Sequence, residues 1–77
     1  MLNGLVLLKL VAGKETRALQ KIARIKGVKG VIGTFGSWDA VAHTEAGSLD
    51  SLAALVVSKI RSTDGVSSTE TLIEVII

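Results

Sequence analysis

The first half of the chain alternates between strand-like and helix-like hydrophobic patterns. Residues 5–11 are almost all aliphatic and lie between glycines, which predicts a buried β-strand. In residues 14–26 the apolar side chains recur at helical spacing, which predicts an amphipathic helix, and Gly27 stands where its C-terminal cap is expected. Residues 28–34 are again rich in aliphatic side chains and predict a second strand.

The second half repeats this order of patterns. Residues 35–38 predict a turn, and residues 39–46 alternate as a third strand. Ser48 then offers a helix N-cap, residues 63–66 end the helix, and residues 67–77 predict the last strand. The apolar stripe of this second helix comprises Leu49, Leu52, Ala53, Val56, Val57 and Ile60.

The two halves are similar beyond their periodicity. Each predicted helix ends in a Gly-Val pair, Gly27-Val28 or Gly65-Val66, and these pairs are 38 residues apart. The order β-α-β-β-α-β with an internal repeat is typical of the split βαβ, or ferredoxin-like, arrangement. The sequence therefore predicts one α+β domain over residues 1–77. Its four-stranded antiparallel sheet has strands 1 and 3 at the centre and carries both helices on one face.

The second face of this sheet is the most unusual feature. Two helices cover only one face, so each strand should alternate apolar with polar residues, yet strands 1 and 4 are apolar on both faces. The two sets in strand 1 are Leu5, Leu7 and Val11, and Val6, Leu8 and Leu10; those in strand 4 are Ile73, Val75 and Ile77, and Leu72 and Ile76. Because an uncovered aliphatic face is rare on soluble monomers, we expect a second copy to pack sheet to sheet. The alternative is a single chain with an apolar surface.

Composition narrows the functional classes. Apolar residues make up 48% of the chain and charged residues 21%, which excludes intrinsic disorder. The chain has no cysteine and one histidine, His43, which excludes a disulfide framework and a multi-histidine metal centre within one chain. No apolar run approaches the roughly 20 residues that span a bilayer. We expect a cytoplasmic domain with no metal and no cofactor.

The predicted turn between strands 2 and 3 concentrates candidate ligand-binding chemistry. Its residues are Phe35, Gly36, Ser37, Trp38 and Asp39, which include both aromatic residues of the chain. Gly36 would let a ligand approach backbone N–H groups, Asp39 could accept hydrogen bonds from an ammonium group, and Trp38 offers apolar area. The alternative is a hairpin turn in which Asp39 binds its own backbone and the aromatic residues serve packing.

Hydroxyl side chains are the second candidate. Ser67, Ser68, Thr69 and Thr71 surround the start of strand 4. Hydroxyls both donate and accept hydrogen bonds, which suits a carboxylate or an amide. Threonine is also a good strand former, so this run taken alone favours a structural role.

The remaining polar residues favour structural interpretations. Helix 1 carries a basic stripe at helical spacing, which consists of Lys14, Arg17, Lys21 and Arg24. Because the net charge is only +2 and no aromatic residues interleave with the stripe, a solvated helix face is favoured over a nucleic-acid contact. His43 lies near Asp39 and Glu45, but no nucleophile, phosphate loop or cofactor motif accompanies it. We therefore expect that the protein is not an enzyme.

Three segments together resemble one known domain. They are Gly36-Ser37-Trp38-Asp39, the helix 2 end Lys59-Ile60, and Asp64-Gly65-Val66 followed by Ser68-Thr69-Glu70-Thr71-Leu72-Ile73. In this order they look like the C-terminal effector-binding domain, called RAM, of the leucine-responsive/asparagine-responsive regulator family (Lrp/AsnC). The resemblance covers essentially the whole chain. Family regulators also carry an N-terminal helix-turn-helix domain. Because strand 1 is expected to begin by Leu5, the chain looks like a stand-alone RAM domain with no helix-turn-helix domain.

The resemblance implies a ferredoxin-like dimer whose dimers assemble into rings of eight or ten chains, with small effectors, typically amino acids, bound between dimers. By matching positions, the ligand-facing residues would be Gly36, Ser37, Trp38 and Asp39 in the turn, and Ser67, Thr69 and Thr71 on the neighbouring wall. Tryptophan stands where tyrosine or another aromatic residue is often expected, which leaves the identity of the ligand open. The implied partners are further copies of the chain, an amino acid effector and a full-length Lrp/AsnC regulator. Direct binding to nucleic acid is not expected, because that function belongs to the helix-turn-helix domain of the family.

Three functional classes follow. The favoured one is a small-molecule sensor that binds an amino acid, couples binding to oligomer assembly and modulates transcription through a full-length regulator. The second is a small enzyme of the dimeric α+β barrel type, which shares this element order, and the third is a purely structural assembly module. Binding of a small molecule would distinguish the sensor from the structural module, and catalytic turnover would distinguish the enzyme from both.

Overall fold

A computed structural model, which describes residues 1–77, confirms the ferredoxin-like arrangement. Its elements are β1 (Leu2–Leu10), α1 (Glu15–Ala23), β2 (Val28–Gly33), β3 (Ala40–Ala46), α2 (Leu49–Leu55), which continues as a π-helical segment (Val56–Ile60), and β4 (Val66–Ile73). The strands form one antiparallel sheet in the order β2-β3-β1-β4, so that β1 and β3 are central, as predicted. Neither helix is long and apolar enough to cross a membrane.

The repeated Gly-Val pairs lie in the turns that lead into β2 and β4. The prediction that Gly27 caps a helix over residues 14–26 is wrong, because α1 ends at Ala23 with Arg24 as its C-cap. Gly27 and Gly65 both have positive φ angles, of 100° and 99°, which a residue without a Cβ adopts at little cost. Gly65 is also tightly packed, since a methyl group there would lie 3.0 Å from the Cβ of Ala18. At the start of α2 the Ser48 hydroxyl accepts the N–H of Ser51 at 3.1 Å, which confirms Ser48 as the N-cap.

The hydrophobic core lies between the helices and one face of the sheet. Its side chains include Val6 and Leu8 of β1 and Ile22 of α1, all fully buried. The buried face of β3 is built mainly of alanines, which lets the helices approach the sheet closely. Thr44 is the one buried polar side chain, and its hydroxyl donates a 2.9 Å hydrogen bond to the Gly4 carbonyl, so no buried side-chain donor is left unpaired.

The opposite face of the sheet is not covered by any helix, and we call it the open face. The pairing of the strands shows which residues lie on it. Leu7 pairs with Val41 of β3, and Leu5 pairs with Leu72 of β4. Because directly paired residues point to the same side, these four side chains share the open face while Val6 and Leu8 face the helices. Ile32 of β2 extends the apolar surface and is 67% exposed. β1 is therefore apolar on both faces, as the sequence indicated.

The C-terminal strand is shorter than predicted. β4 ends at Ile73 rather than continuing through Ile77, and the last cross-strand bond is donated by the Glu74 N–H to the Asn3 carbonyl, at 2.9 Å. In this register Leu2, the first residue of β1, lies opposite residue 75, so residues 76–77 extend past the start of β1. We call residues 74–77 the C-terminal tail.

Candidate functional site

The turn between β2 and β3 is closed at its base by two hydrogen bonds. Thr34 donates its N–H to the Asp39 carbonyl at 2.9 Å, and its hydroxyl to the Trp38 carbonyl at 2.6 Å. Gly36, at the tip, has a φ of +126°, which only glycine adopts readily. Phe35 is fully exposed and Trp38 is half-buried. The turn is thus anchored at its ends and presents backbone and aromatic surface to solvent.

Asp39 connects this turn to the centre of the sheet. Its N–H donates to the Leu8 carbonyl at 2.8 Å, and its Oδ2 accepts the N–H of Leu10, also at 2.8 Å. The side chain therefore takes the place of a main-chain acceptor where the β1–β3 ladder stops. Oδ1 accepts no hydrogen bond within the chain, so one carboxylate oxygen is available to a ligand.

The hydroxyl residues of β4 lie at the same end of the sheet as the turn. Leu8 of β1 pairs with Ala40 on one side and with Thr69 on the other, so these three residues form one row across the sheet. Thr69 and Thr71 are half-buried on the helix face, whereas Ser67 is exposed. Because β1 separates the turn from β4, the two halves of the predicted site are roughly 10 Å apart, or two strand spacings.

Two depressions border β4. We call the first the α2–β4 groove; it has a volume of about 400 Å³ and is lined mainly by apolar side chains, namely Leu49, Leu52, Ala53, Val56, Val57, Arg61, Thr69, Thr71 and Ile73. The second is a hydroxyl recess of about 330 Å³ at the end of the groove, lined by Arg61, Val66, Ser67, Ser68 and Thr69. No turn residue lines either depression. A single chain therefore gathers the hydroxyl half of the predicted site without Gly36, Ser37, Trp38 or Asp39.

Arg61 belongs to this site although no sequence motif singled it out. It lines both the α2–β4 groove and the hydroxyl recess, and it is the only charged side chain in either. A guanidinium beside three hydroxyls is suited to a carboxylate. Its position could have been found from the spacing of Leu49, Ala53, Val57 and Arg61, which recur every fourth residue along one helix face.

The basic stripe lies on the exposed side of α1, opposite the buried Ala18 and Ile22. At its start the Lys14 Nζ donates to Asp64 Oδ1 at 3.1 Å. This hydrogen bond, together with the charge of the lysine, holds the pKa of Asp64 below its ordinary value. The pair joins the beginning of α1 to the loop before β4, which gives part of the stripe a structural role. His43 lies apart from it, exposed on the open sheet face.

Residues 4–75 match the family model described as the Lrp/AsnC ligand binding domain. The match covers nearly the whole chain and every residue of the candidate site. The fold and this match define the class of domain, and the chain belongs to the Lrp/AsnC family. Among curated protein sequences, none matches the chain.

Solved structures of the same fold agree with this assignment. TTHA0845 from Thermus thermophilus is 27% identical, with a TM-score of 0.93 over 100% of this chain and 96% of that one. The hypothetical protein PHS023 from Pyrococcus horikoshii is 26% identical, with a TM-score of 0.89 over 100% of this chain and 93% of that one. AsnC from E. coli is 26% identical, with a TM-score of 0.91 over 99% of this chain; the match spans 52% of AsnC, about half its length.

A more distant structure has the same fold with a ligand bound. The transcriptional regulator NMB0573 from Neisseria meningitidis, solved as a complex with L-Met, has a TM-score of 0.86 over 96% of this chain and 49% of that one. Its sequence is 13% identical to that of this chain, so the match establishes only that the two folds are similar.

Proposed function

We propose that this domain binds a free amino acid at a boundary between copies of the chain and couples that binding to oligomer assembly. The observation that carries the proposal is the match of residues 4–75 to a ligand-binding domain, together with a site that one chain leaves in two halves. The turn residue Asp39 and the hydroxyl of Thr69 lie on opposite sides of β1. A second copy that brings its turn to the hydroxyl wall would complete the site.

The chemistry of the two halves matches the groups of an amino acid. The free Oδ1 of Asp39 suits the ammonium group, and the half-buried Trp38 can border the side chain. The hydroxyls of Ser67, Thr69 and Thr71, with turn N–H groups near Gly36 and Ser37, suit the carboxylate. The L-Met complex of the Neisseria meningitidis regulator supports this class of ligand.

The open sheet face supports assembly. Leu5, Leu7, Ile32, Val41 and Leu72 lie on this face, from all four strands, together with the polar residues His43 and Glu70. Packing a second sheet against it, about 10 Å away, would remove this surface from water and form an antiparallel sandwich between two helix layers. Further contacts between such dimers would bring turns and hydroxyl walls together, and the assembled domain would act on transcription through a full-length regulator of the family.

A thermal-stability screen against the common amino acids tests this function. A ligand at about 100 times its Kd stabilises the folded protein by about 2.7 kcal/mol per site, so the unfolding midpoint should rise by several degrees. Asp39→Asn should abolish the rise, because it removes the charge that faces the ammonium group. The amide oxygen can still accept the Leu10 N–H. Asp50→Asn, the same change at an exposed position in α2, is the matched control and should leave the rise intact.

A purely structural assembly module is the second candidate, and one observation favours it. The turn residues line no depression of the chain, whereas the exposed aliphatic residues of the open sheet face can pack against a second copy with no ligand between them. If no amino acid or related metabolite shifts the wild-type midpoint at tens of millimolar, the structural module replaces the sensor. An equal shift in Asp39→Asn would remove Asp39 from the site.

A further inference from the structure

The largest depression of the chain lies between the end of α1 and one side of α2, away from the proposed amino acid site. It has a volume of about 540 Å³, which is within the range of small-molecule sites. We call it the lysine groove; it is lined by Ile25, Lys26, Ser51, Ala54, Leu55, Ser58 and Lys59. It shares no residue with the α2–β4 groove, the hydroxyl recess or the β2–β3 turn.

The two lysines of this groove have no acidic partner. Lys26 follows α1 and Lys59 lies in the π-helical segment; both are exposed and neither forms an ion pair. No acidic side chain lines the groove. In the adjoining depression Glu45 is paired with Lys29 at 3.6 Å, so that carboxylate is already engaged. Two uncompensated cations from separate elements create a positive potential in a concave site, which favours a ligand with more than one negative charge.

The two serines of the groove supply hydrogen-bond donors beside the lysines. The Ser48 hydroxyl donates to Ser51 Oγ at 3.0 Å, which leaves the hydrogen of the Ser51 hydroxyl free for a ligand. The Ser58 hydroxyl makes no hydrogen bond within the chain, although the Ser58 carbonyl accepts one from Ser62. Ammonium and hydroxyl groups are donors that suit phosphate oxygens, and lysine binds phosphate as a point charge.

The irregular turn of the second helix lies at one wall of the lysine groove. The Arg61 N–H donates to the Val56 carbonyl, five residues earlier, at 2.8 Å, which closes a π-helical turn. Such turns are rare and occur frequently at functional sites. This one contains both Ser58 and Lys59, so the departure from regular helix coincides with two of the groups that would contact a phosphate.

We propose that the lysine groove binds a small organic phosphate with at least two negative charges, of the size of a nucleoside diphosphate. Its phosphates would lie between Lys26 and Lys59 and accept hydrogen bonds from the two serines. Ile25 and Leu55 are half-buried in the same groove and would contact the organic part of the ligand. Because this site and the amino acid site have no residue in common, each can be present without the other.

Fluorescent N-methylanthraniloyl-ADP, added to the full chain at low ionic strength, is the probe for this site. We expect saturable binding that weakens as salt is added, because the contacts are between exposed charges. Unlabelled ADP should displace the probe and adenosine should not, since the phosphates carry the charge. Inorganic pyrophosphate should displace it more weakly than ADP, because it leaves the apolar side chains of the groove uncovered. Absence of saturable binding, displacement by adenosine, or equal displacement by ADP and pyrophosphate contradicts the proposal.

Substitution of the lysines locates the binding. Lys26→Gln and Lys59→Gln should each weaken binding of the probe about fivefold, and the double variant about 25-fold, as expected for exposed ion pairs. Both side chains are exposed and unpaired, so the unfolding midpoint without ligand should stay at the wild-type value. Lys21→Gln, which removes the same charge from the basic stripe outside the groove, is the matched control and should bind like wild type. Equal weakening by Lys21→Gln, or tighter binding of a short oligonucleotide than of ADP, would assign the effect to the general positive charge of the helix layer and overturn the proposal.

Discussion

Asp39 makes a structural contact that its sequence context did not suggest. One carboxylate oxygen accepts the N–H of Leu10 in β1 and continues the sheet beyond the last main-chain pair, whereas the turn interpretation expected a bond to the backbone of the turn itself. The other oxygen has no partner in the chain and remains available for the proposed ligand. A structural contact and a ligand contact therefore do not exclude each other at this residue.

Replacing Asp39 should separate the two roles. Asp39→Ala leaves the Leu10 N–H without its protein acceptor and should lower the free energy of unfolding by about 1 kcal/mol. Asp39→Asn retains an acceptor oxygen and should lower it by less. Urea unfolding of the three proteins without ligand measures the difference, and equal stability of Asp39→Ala and wild type would show that the hydrogen bond contributes nothing.

Gly65 combines a positive φ angle with close packing, and Gly13 allows the two effects to be measured apart. Gly13 has a φ of +89° and nothing within 4 Å of the position of a Cβ, so Gly13→Ala should cost about 1–2 kcal/mol for backbone conformation alone. Gly65→Ala adds a contact of 3.0 Å with Ala18 and should cost at least about 1 kcal/mol more. Denaturant unfolding measures the loss of stability in each variant. Equal losses would mean that the loop around Gly65 can shift to accommodate the methyl group.

The pair of Lys14 and Asp64 predicts a small pH dependence of stability. The hydrogen bond and charge of Lys14 lower the pKa of Asp64 in the folded chain, so the pair contributes stability above the unfolded pKa of about 3.9. That contribution is lost as the pH falls through the lowered folded pKa. Asp64→Asn should therefore unfold at a slightly lower temperature than wild type at pH 7, and the difference should vanish at the acid end of a series from pH 7 to pH 2. A difference that persists at pH 2 would point to another cause.

At the scale of elements, β1 carries core-facing and outward-facing leucines, and the sequence pattern alone does not show which leucine belongs to which face. Neighbouring leucines of this strand lie on opposite faces, one in the helix-side core and one on the open face. The same substitution should therefore have different consequences at adjacent positions.

Leu8→Glu and Leu7→Glu test this assignment. Leu8 is fully buried, so Leu8→Glu places an unpaired carboxylate in the core and should unfold the chain, with a cost of several kcal/mol. Leu7 lies on the open face, so Leu7→Glu should leave the far-ultraviolet circular dichroism largely native and weaken sheet-to-sheet association. Sedimentation of Leu7→Glu at the wild-type mass would rule out a contact through this face.

At the scale of the whole molecule, the chain is small and exposes two separate apolar surfaces. The open sheet face spans all four strands, and the α2–β4 groove with the C-terminal tail lies along one edge. Packing of the open face against a second copy, as proposed above, would leave the α2–β4 groove exposed, because the groove lies on the helix side of the sheet.

The sequence by itself determined the element order, the duplicated βαβ unit, the two-sided apolar strand and the family. These follow from hydrophobic period, caps and short motifs, which are properties of neighbouring residues. The tertiary structure alone decided that Leu7 rather than Leu8 faces outward, that β4 stops at Ile73, and that Arg61 joins the hydroxyls. Each of these depends on pairing between residues far apart in the chain, where a shift of one residue reverses every side chain and leaves the local pattern unchanged.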